Sequence, residues 1–538
     1  MREGRVSVEI GEAGTQAPSK ADRAELPGGW AWATVEDLLV GSDAGKSFKC
    51  EPRPASPDEW GIVKVSAMTW GEFRPGENKA LLDETLVNDA YEIRAGDVLV
   101  SRANTVEHVG APVLVEEVRP RLLLSDKSLR FQPGSGIDRK WFIYWLRSPT
   151  VRKAVAAKAT GTSDSMRNIS QSDLKAIPLP VPPPSEQRRI ANALEERIVR
   201  LEATELKLRT AERRLEQLRD FIMSAAATGV LAWDADPKHA PITTSPAVKD
   251  GTLPPLATGW RWARLQDIAD VVGGVTKDSK SEHDPALTEV SYLRVANAQR
   301  AQLKLSQVTK MRVAPKTLAK LRLHNGDLLM TEGGDRDKLG RGWIWEDQIQ
   351  DCIHQNHLFR ARIQERATHP KLLGWYVNSA ARSWFEANAK QSVNLASISI
   401  SKVKLLPVPV PPADEQEQAD FVELGERVLA RLDRLATACE KGLAHTAALR
   451  RALLTEAFAG RLVDQDPEDE SAEDLLKRIR AEREAAEAER KAARRAATQT
   501  KRKSRAKPHV PASSDAPPAS DTPLPEGEQG TLPMEFTA

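Results

Sequence analysis

Three places in the sequence carry residue types that could do chemistry. Residues 40–47 (Val-Gly-Ser-Asp-Ala-Gly-Lys-Ser) approximate the pattern of a phosphate-binding loop, whose backbone amides cradle nucleotide phosphates. Cys352, His354 and His357 have the side chains that bind zinc. Segment 331–337 holds a glutamate and two aspartates, and grouped carboxylates can bind Mg²⁺ or transfer protons. Each of these sites has to be weighed against an ordinary structural role.

Local spacing argues against the first two sites. A phosphate-binding loop needs a glycine at position 40, where valine stands, and three prolines between 52 and 57 prevent the helix that should follow. Residues 40–47 are therefore an exposed contact loop or an ordinary surface turn. Alternate residues of a strand point to opposite faces, so Cys352 and His354 share a face that His357 does not. A packed strand with a polar end is favoured over a metal site.

The sequence elements that position these residues occur twice in the chain. Residues 29–33 (Gly-Trp-Ala-Trp-Ala) return as 259–263 (Gly-Trp-Arg-Trp-Ala), displaced by 230 residues. The proline-rich run 177–183 returns as 406–412, displaced by 229. Such constant register predicts two copies of one domain-plus-helix unit. Six of the 13 tryptophans lie in 26–183 and six in 255–411, so we place the two globular cores in those segments.

The carboxylate segment differs between the two copies. Where copy two has residues 331–337, copy one has Ser101-Arg102-Ala103-Asn104 and lacks the carboxylates. Catalysis retained by one repeat only is a weak hypothesis. Asn, Arg, Asp, Glu and Thr are also the side chains that discriminate between bases, and unequal loops on equal frames suit recognition of two different half-sites. Base readout and a plain loop both remain open here.

Bulk properties exclude several classes of protein. Three cysteines far apart form neither a disulfide framework nor a zinc spacing, which fits a reducing cytosol. We find no apolar signal segment and no run of 18 apolar residues, so we predict a cytoplasmic protein without membrane insertion. The net charge of +2 does not exclude nucleic acid, because basic residues can gather on one face.

Each core is followed by a long helix with heptad periodicity. In copy one the proline run ends at Ser185, and the predicted helix ends at Gly229. In copy two Asp414 caps a helix that ends at Gly460. We expect the two helices to pack against each other in antiparallel orientation, because this buries the apolar seam of each helix. The seams are Ile190, Leu194, Leu201, Leu208, Ala211, Leu215, Leu218 and Ile222, and then Phe421, Val428, Leu432, Leu435, Cys439, Leu449 and Leu453.

The segment after residue 463 is strongly charged. Seven of the eleven residues 464–474 are acidic, and 475–507 holds 13 Lys and Arg against 4 Glu. From Pro508 onward we expect disorder. The basic stretch is either a nonspecific DNA tether or a solvated, frayed helix.

These features together resemble the specificity subunits of type I restriction–modification systems (HsdS). The resemblance is carried by the two different cores, each closed by the proline run and a long helix, and it covers about residues 25–480. Several segments look like parts of that family's target recognition domains, namely 45–50, 65–71, 292–297, 331–335 and 355–360. A further element that resembles the family consists of residues 460–463 and 475–480. The basic and then disordered tail after about 485 departs from the family.

The resemblance implies an α+β fold with two repeated α/β target recognition domains, separated by two long antiparallel coiled-coil helices, and a C-terminal helical and disordered tail. We expect a disordered leader 1–25, recognition domain 26–184, central helix 185–230, linker 231–254, recognition domain 255–412, second helix 413–462, charged helical tail 463–507 and disordered tail 508–538.

The resemblance also implies a non-catalytic subunit that binds an asymmetric bipartite site in double-stranded DNA. Its partners would be two methyltransferase and two motor-nuclease subunits, which would use S-adenosylmethionine, ATP and Mg, whereas this chain would hold no cofactor and no metal. A tandem-domain coiled-coil scaffold without DNA readout and an enzyme with a site at 331–337 are the alternatives. The candidate DNA-contacting residues are Lys46, Ser47, Lys49, Ser66, Thr69, Arg102, Asn104, Thr276, Lys277, Asn297, Gln299, Arg300, Thr331 and Arg336.

Overall fold

The chain divides into two compact units. The computed structural model describes residues 25–505 apart from 70, 164–165, 232–234, 237–241, 243–244, 277–283, 393–394 and 413. Unit 1 comprises residues 1–191 and 456–538, and unit 2 comprises residues 192–455. The expected disorder of the leader and of residues 508–538 falls outside the described residues, apart from Glu25.

Unit 1 is an α/β domain made of small sheets and short helices. Its strands are β1 Ala31–Thr34, β2 Leu39–Ala44, β3 Gly61–Val63, β4 Asn78–Ala80, β5 Val98–Ser101, β6 Ala103–Asn104, β7 Pro112–Leu114, β8 Leu122–Leu123, β9 Ser128–Pro133, β10 Thr160–Ser163, β11 Met166–Asn168 and β12 Pro178–Val181. Its helices are α1 Arg139–Leu146, α2 Pro149–Lys158 and α3 Gln171–Lys175, followed by the start of α4 Pro184–Ala227. Helix α2 starts anew because Ser148 caps it and Pro149 occupies its first turn.

Four sheets organise these strands. The largest has the order β2-β9-β5-β7 and is antiparallel throughout, and a second has the order β4-β3-β8, with β3 and β8 parallel. Strands β10, β11 and β6 form the third sheet, and β1 pairs with β12 in the fourth. Prolines lack an amide donor and are confined to sheet edges, which explains why the proline run forms one strand of a two-stranded sheet, with Trp32 opposite Pro180.

Unit 2 repeats this plan. Its strands are β13 Ala235–Asp236, β14 Leu256–Ala257, β15 Arg261–Arg264, β16 Ala269–Gly273, β17 Thr288–Leu293, β18 Ala298–Gln299, β19 Gln302–Leu303, β20 Thr309–Val313, β21 Leu328–Thr331, β22 Gly333–Gly334, β23 Gly342–Ile344, β24 Cys352–His354, β25 Leu358–Ile363, β26 Lys390–Gln391, β27 Ala396–Ser397 and β28 Pro407–Val410. Its helices are α5 Leu265–Ile268, α6 Pro315–Leu321, α7 Pro370–Asn378, α8 Arg382–Asn388, α9 Ile400–Val403 and most of α10 Glu415–Phe458.

Each of the four sheets of unit 1 has a counterpart in unit 2, which has two further two-stranded sheets, β13-β14 and β18-β19. Orders β16-β25-β21-β23, β20-β17-β24 and β22-β27-β26 match the three larger sheets, and β15 pairs with β28 as β1 pairs with β12. Trp262 lies opposite Pro409, as Trp32 lies opposite Pro180. The predicted repeat is therefore confirmed at the level of sheet topology.

The long helices pack against each other within unit 2. Leu208 of α4 faces Gly442 of α10, and Arg219 forms an ion pair with Asp433, so the residue numbers run in opposite directions along the two helices. The predicted antiparallel pair is confirmed. Its apolar seam is partly different from the prediction, because Leu218, Leu435 and Leu449 are 43%, 54% and 40% exposed. The buried row of α10 contains the predicted Leu432 and Cys439 together with Gly425 and Thr446, which were not predicted, at intervals of seven residues.

The charged segment after Gly460 includes a third long helix, α11 Ala472–Arg505. Its first turns pack on unit 1, where Ala472, Leu475 and Ile479 are fully buried. Among the described residues, no helix is long and apolar enough to cross a membrane.

Candidate nucleic-acid interface

In unit 1 the candidate loop 45–50 follows directly from strand β2. Lys46 forms a parallel bridge with Ser125, which holds the loop against the chain before β9. This approach needs glycine at position 45, because a Cβ there would lie 2.2 Å from the carbonyl oxygen of Leu124. Lys46, Ser47 and Lys49 are exposed, and the Lys46 ammonium lies 5.6 Å from the centre of the Tyr91 ring.

A basic cleft of about 490 Å³ opens beside this loop. Lys46, Lys64, Lys79 and Lys127 line it together with Ser47, Ser125 and Asp126. The Ser66 hydroxyl donates to the Glu77 carboxylate and Lys64 lies 3.5 Å from it, and these two contacts, the hydrogen bond first, hold the pKa of Glu77 below its usual value. The cleft is lined by four lysines and one aspartate, a basic surface that suits an anionic ligand such as a phosphate backbone.

A second polar cluster adjoins the cleft. The Arg102 amide donates to the carbonyl oxygen of Lys127 at 2.8 Å, so the two basic residues are neighbours. Asn104 donates to the hydroxyl of Thr69 at 3.3 Å and lies opposite Arg167 in the β6–β11 pair. The structure thus brings Arg102, Asn104 and Thr69 together, while the Ser66 hydroxyl is engaged by Glu77.

Unit 2 has the same backbone arrangement with different side chains. Val275 bridges Gln355 as Lys46 bridges Ser125, and a Cβ on Gly274 would lie 2.0 Å from the carbonyl oxygen of His354. Thr276 is exposed, and Lys277 lies outside the described residues. The lysine at the bridge in unit 1 is therefore replaced by valine in unit 2.

The loop after strand β21 carries an acidic residue where unit 1 has a basic one. The Glu332 amide donates to the carbonyl oxygen of His357 at 3.0 Å, as the Arg102 amide donates to Lys127. The His357 Nδ1 lies 2.6 Å from the Glu332 carboxylate. Arg336 is exposed further along the loop, and its guanidinium lies 3.4 Å from the carbonyl oxygen of Glu386.

Four other candidates in unit 2 are engaged in holding the fold. Asn297 is 3% exposed, and its amide group donates to the carbonyls of Lys304 and Gln307 and accepts from the Arg294 amide. Thr331 is 1% exposed, and its hydroxyl donates to the carbonyl of Lys338.

Gln299 and Arg300 are also tied to backbone. The Gln299 amide donates to the carbonyl of Ala296. The Arg300 guanidinium donates to the carbonyls of Asn378 and Asp337, and burial lowers its pKa. These partners give all four side chains a structural role, so we do not keep them in the proposed interface.

Several residues of this candidate interface are absent from the set predicted from the sequence. Lys64, Lys79 and Lys127 line the cleft, Arg167 flanks Asn104, and Glu332 meets His357. The sequence repeat could have identified His357 and Lys127 as equivalent positions, because they are displaced by the same 230 residues as the repeated tryptophans.

The cysteine–histidine cluster is divided between core and surface. Cys352 and His354 are 1% and 0% exposed in β24, whereas His357 is exposed and bound to Glu332. Burial raises the pKa of the Cys352 thiol to about 12 and lowers that of His354 to about 4. Across the described ranges, no group of three or more His, Cys, Asp or Glu side chains could hold a metal ion.

Comparison with known proteins agrees with this architecture. Residues 64–209 match the family model of the type I restriction modification DNA specificity domain. The chain is 34% identical over 205 residues to the type I restriction enzyme EcoEI specificity subunit of Escherichia coli, a match that covers 38% of this chain and 34% of that protein. It is 22% identical over 475 residues to the StySPI specificity subunit of Salmonella potsdam, covering 86% and 97% of the two chains.

A chain from a solved type I restriction–modification assembly has the same fold. It aligns with a TM-score of 0.58 and 17% identity over 82% of this chain and 100% of that one. The repeated sheets and the antiparallel helix pair therefore form the fold found in that assembly. Over most of its length the chain is similar to type I restriction–modification specificity subunits, which agrees with the family and fold predicted from the sequence. The relatives that it matches are named specificity subunits.

Proposed function

We propose that this chain gives a type I restriction–modification complex its DNA sequence specificity, each unit reading one half of an asymmetric split site. The observation that carries the proposal is the difference between the units at matched positions. Lys46, Arg102 and Lys127 in unit 1 correspond to Val275, Glu332 and His357 in unit 2. Two units with the same backbone arrangement that carry opposite charges at an equivalent position are suited to bind different base sequences.

The remaining candidate residues would make two kinds of contact with DNA, one with backbone phosphates and one with base edges. Lys46, Ser47, Lys49 and the other cleft lysines would bind phosphates, because a point charge on a flexible stem positions DNA without reading it. Thr69, Arg102 and Asn104 would reach base edges in the first half-site, and Glu332, His357 and Arg336 in the second. Arginine suits guanine, asparagine suits adenine, and a carboxylate accepts from the cytosine amino group.

The helix pair is the proposed partner surface. Several large apolar side chains on α4 and α10 are exposed, namely Val199, Leu206, Leu218, Phe221, Leu435 and Leu449. Exposed apolar groups on a long rod suit docking of other subunits. We place two methyltransferase subunits there and two motor-nuclease subunits in the restriction complex. In this scheme the partners use S-adenosylmethionine, ATP and Mg, and the complex works in the cytoplasm.

A domain exchange tests the proposal. Residues 26–183 are replaced by the corresponding segment of a related specificity subunit, and the methylated sites are mapped by methylome sequencing in cells that also supply the methyltransferase subunit. We expect one half-site to change while the other half-site and the spacer stay as they were. A change in both half-sites, or in neither, contradicts the assignment of one half-site to each unit.

A further inference from the structure

We propose that the C-terminal half of α11, residues 490–505, is a second DNA-binding element of unit 1. It would bind backbone phosphates that flank the half-site read by this unit. The inference rests on the proposed function, since it needs DNA at the surface of unit 1, and it adds a contact outside the recognised sequence.

The first half of α11 is firmly docked on unit 1. Leu475 and Ile479 are 0% exposed, and they pack against the backbone of Gly136 and Gly134. A Cβ at position 134 would lie 2.7 Å from Ile479, and one at 136 would lie 2.9 Å from Leu475. The two glycines therefore make room for the helix, which starts with the Ala472 amide donating to the carbonyl of Gly29 at 2.9 Å.

Polar contacts hold the next two turns. The Ser135 hydroxyl donates to the Glu482 carboxylate, as does the Ser135 amide at 2.9 Å, and these hydrogen bonds lower the pKa of Glu482. The Arg483 guanidinium donates to the carbonyl of Glu36 at 2.9 Å. A helix fixed over three turns by apolar and polar contacts carries its following residues in a defined direction.

That direction is toward the candidate DNA loop. Arg483 meets Glu36, and seven residues later Arg490 lies beside Gly41 and donates to Gln132 at 3.2 Å. The helix thus advances in the same direction as strand β2, which ends at Ala44 and leads into Lys46 and Lys49. From residue 490 to residue 505 an α-helix extends about 22 Å, well past the end of this strand.

The residues that extend past the strand are basic. Residues 490–505 contain eight Lys and Arg and no acid. Like charges on neighbouring turns repel one another in water, and a polyanion alongside relieves that repulsion. Phosphates follow at about 3.4 Å along one strand, so 22 Å matches about six of them. The residues concerned are Arg490, Lys491, Arg494, Arg495, Lys501, Arg502, Lys503 and Arg505.

The docking site is specific to unit 1. Strand β25 of unit 2 corresponds to β9, and the positions equivalent to Gly134 and Gly136 are Gln364 and Arg366. Arg366 is paired with Glu415 at 3.0 Å. Side chains at these two positions would block a helix that packs like α11, so the basic arm serves one flank of the split site and not the other.

The test measures binding of the full-length chain to duplexes that contain the selected split site. One duplex has 12 base pairs of flank on both sides, and two others are trimmed to 2 base pairs on one side each. We expect trimming outside the first half-site to weaken binding about tenfold at low salt, and trimming outside the second to leave it unchanged. In K501Q/R502Q/K503Q/R505Q this dependence disappears, and the slope of log K against log salt falls by about two to three.

A charge-preserving variant, K501R/R502K/K503R/R505K, is the matched control and should behave as the unmodified chain. Discrimination between the split site and a site with a mutated half should be the same in all three proteins. If the neutralised variant keeps the flank dependence and the salt slope, the inference is overturned. Loss of discrimination in the unmodified chain would instead overturn the proposed function, so the two failures are distinguishable.

Discussion

The His357 imidazole lies 2.6 Å from the Glu332 carboxylate, at the position where unit 1 brings Arg102 beside Lys127. The backbone contact that joins each pair is the same, an amide donating to a carbonyl at 3.0 Å in unit 2 and 2.8 Å in unit 1. One frame therefore presents two basic groups in one copy and an acid with a histidine in the other.

Substituting Glu332 by Gln should relax specificity at one position of the second half-site and leave the first half-site unchanged. The amide keeps the shape of the side chain but removes its charge and one acceptor. A good base contact contributes about 1–3 kcal/mol of discrimination. Selection from randomised split duplexes measures the preference at every position.

Arg102→Gln is the matched variant in unit 1, and we expect the mirror result, a relaxed position in the first half-site alone. A uniform loss of affinity in both variants, with every base preference retained, would show that these residues contact phosphates instead of bases.

Lys46→Gln should weaken binding to all sequences alike. Lys46 lines the basic cleft as a point charge, so the loss of one phosphate contact lowers the salt slope by about 1 without changing base preferences. The measurement is a titration of specific and nonspecific duplexes between 50 and 200 mM salt. Lys310→Gln is the control. Lys310 is an exposed lysine of β20 that is paired with Glu289 of β17, and it is not one of the candidate DNA contacts. A change in specificity without a change in slope would count against a phosphate contact.

Two glycines in α10 should respond oppositely to alanine. Alanine is favoured over glycine inside a helix by about 1 kcal/mol. At Gly442 a new Cβ meets only the end of the Leu208 side chain at 3.0 Å, so Gly442→Ala should be neutral or slightly stabilising. At Gly425 it would lie 2.6 Å from the Trp375 ring, so Gly425→Ala should lower the melting temperature in calorimetry. Equal effects of the two substitutions would contradict this packing.

Acid should destabilise unit 2 through His354. Burial lowers the pKa of this imidazole to about 4, below the usual value of about 6.5, so the folded state binds fewer protons than the unfolded state. Stability is lost as pH falls below about 6.5, by on the order of 3 kcal/mol near pH 4. His354→Gln can still donate to the carbonyl of Leu358, which accepts from Nδ1 at 2.9 Å. Urea unfolding at pH 7 and pH 5 should show a smaller loss for this variant.

The repeat and the long helices could be predicted because they are written as periodic patterns. The paired tryptophans, the proline runs and the heptads survive as positions in the sequence, and the structure places them in matching strands and helices. It was harder to predict from the sequence which residues of the two long helices face each other. Leu218, Leu435 and Leu449 fit the heptad rule, yet a two-helix rod covers only a narrow stripe, so these side chains stay exposed.

Individual interface residues could not be assigned from loop position alone. Asn297 has a typical base-reading side chain, but three backbone groups from its own loop satisfy it in the core. The cleft lysines Lys64, Lys79 and Lys127 come together through the pairing of β3 with β4 and with β8 and through the bridge at Lys46, which are contacts between residues distant in sequence. Gln418 donates to the carbonyl of Pro412 as Gln187 donates to the carbonyl of Pro182, so the helix starts are displaced by 231 residues, whereas the proline runs are displaced by 229.

The helix pair should set the spacer between the half-sites. Four added residues lengthen an α-helix by about 6 Å and rotate it by roughly 400°. Because Leu208 faces Gly442 in antiparallel packing, four residues inserted after Ala203 need four more after Ala447. We expect this double insertion to lengthen the preferred spacer by one or two base pairs and to keep both half-sites, as measured by methylome sequencing. Two-residue insertions at the same places rotate the helices by about 200° and should abolish binding. An unchanged spacer in the four-residue variant would mean that these helices do not set the distance.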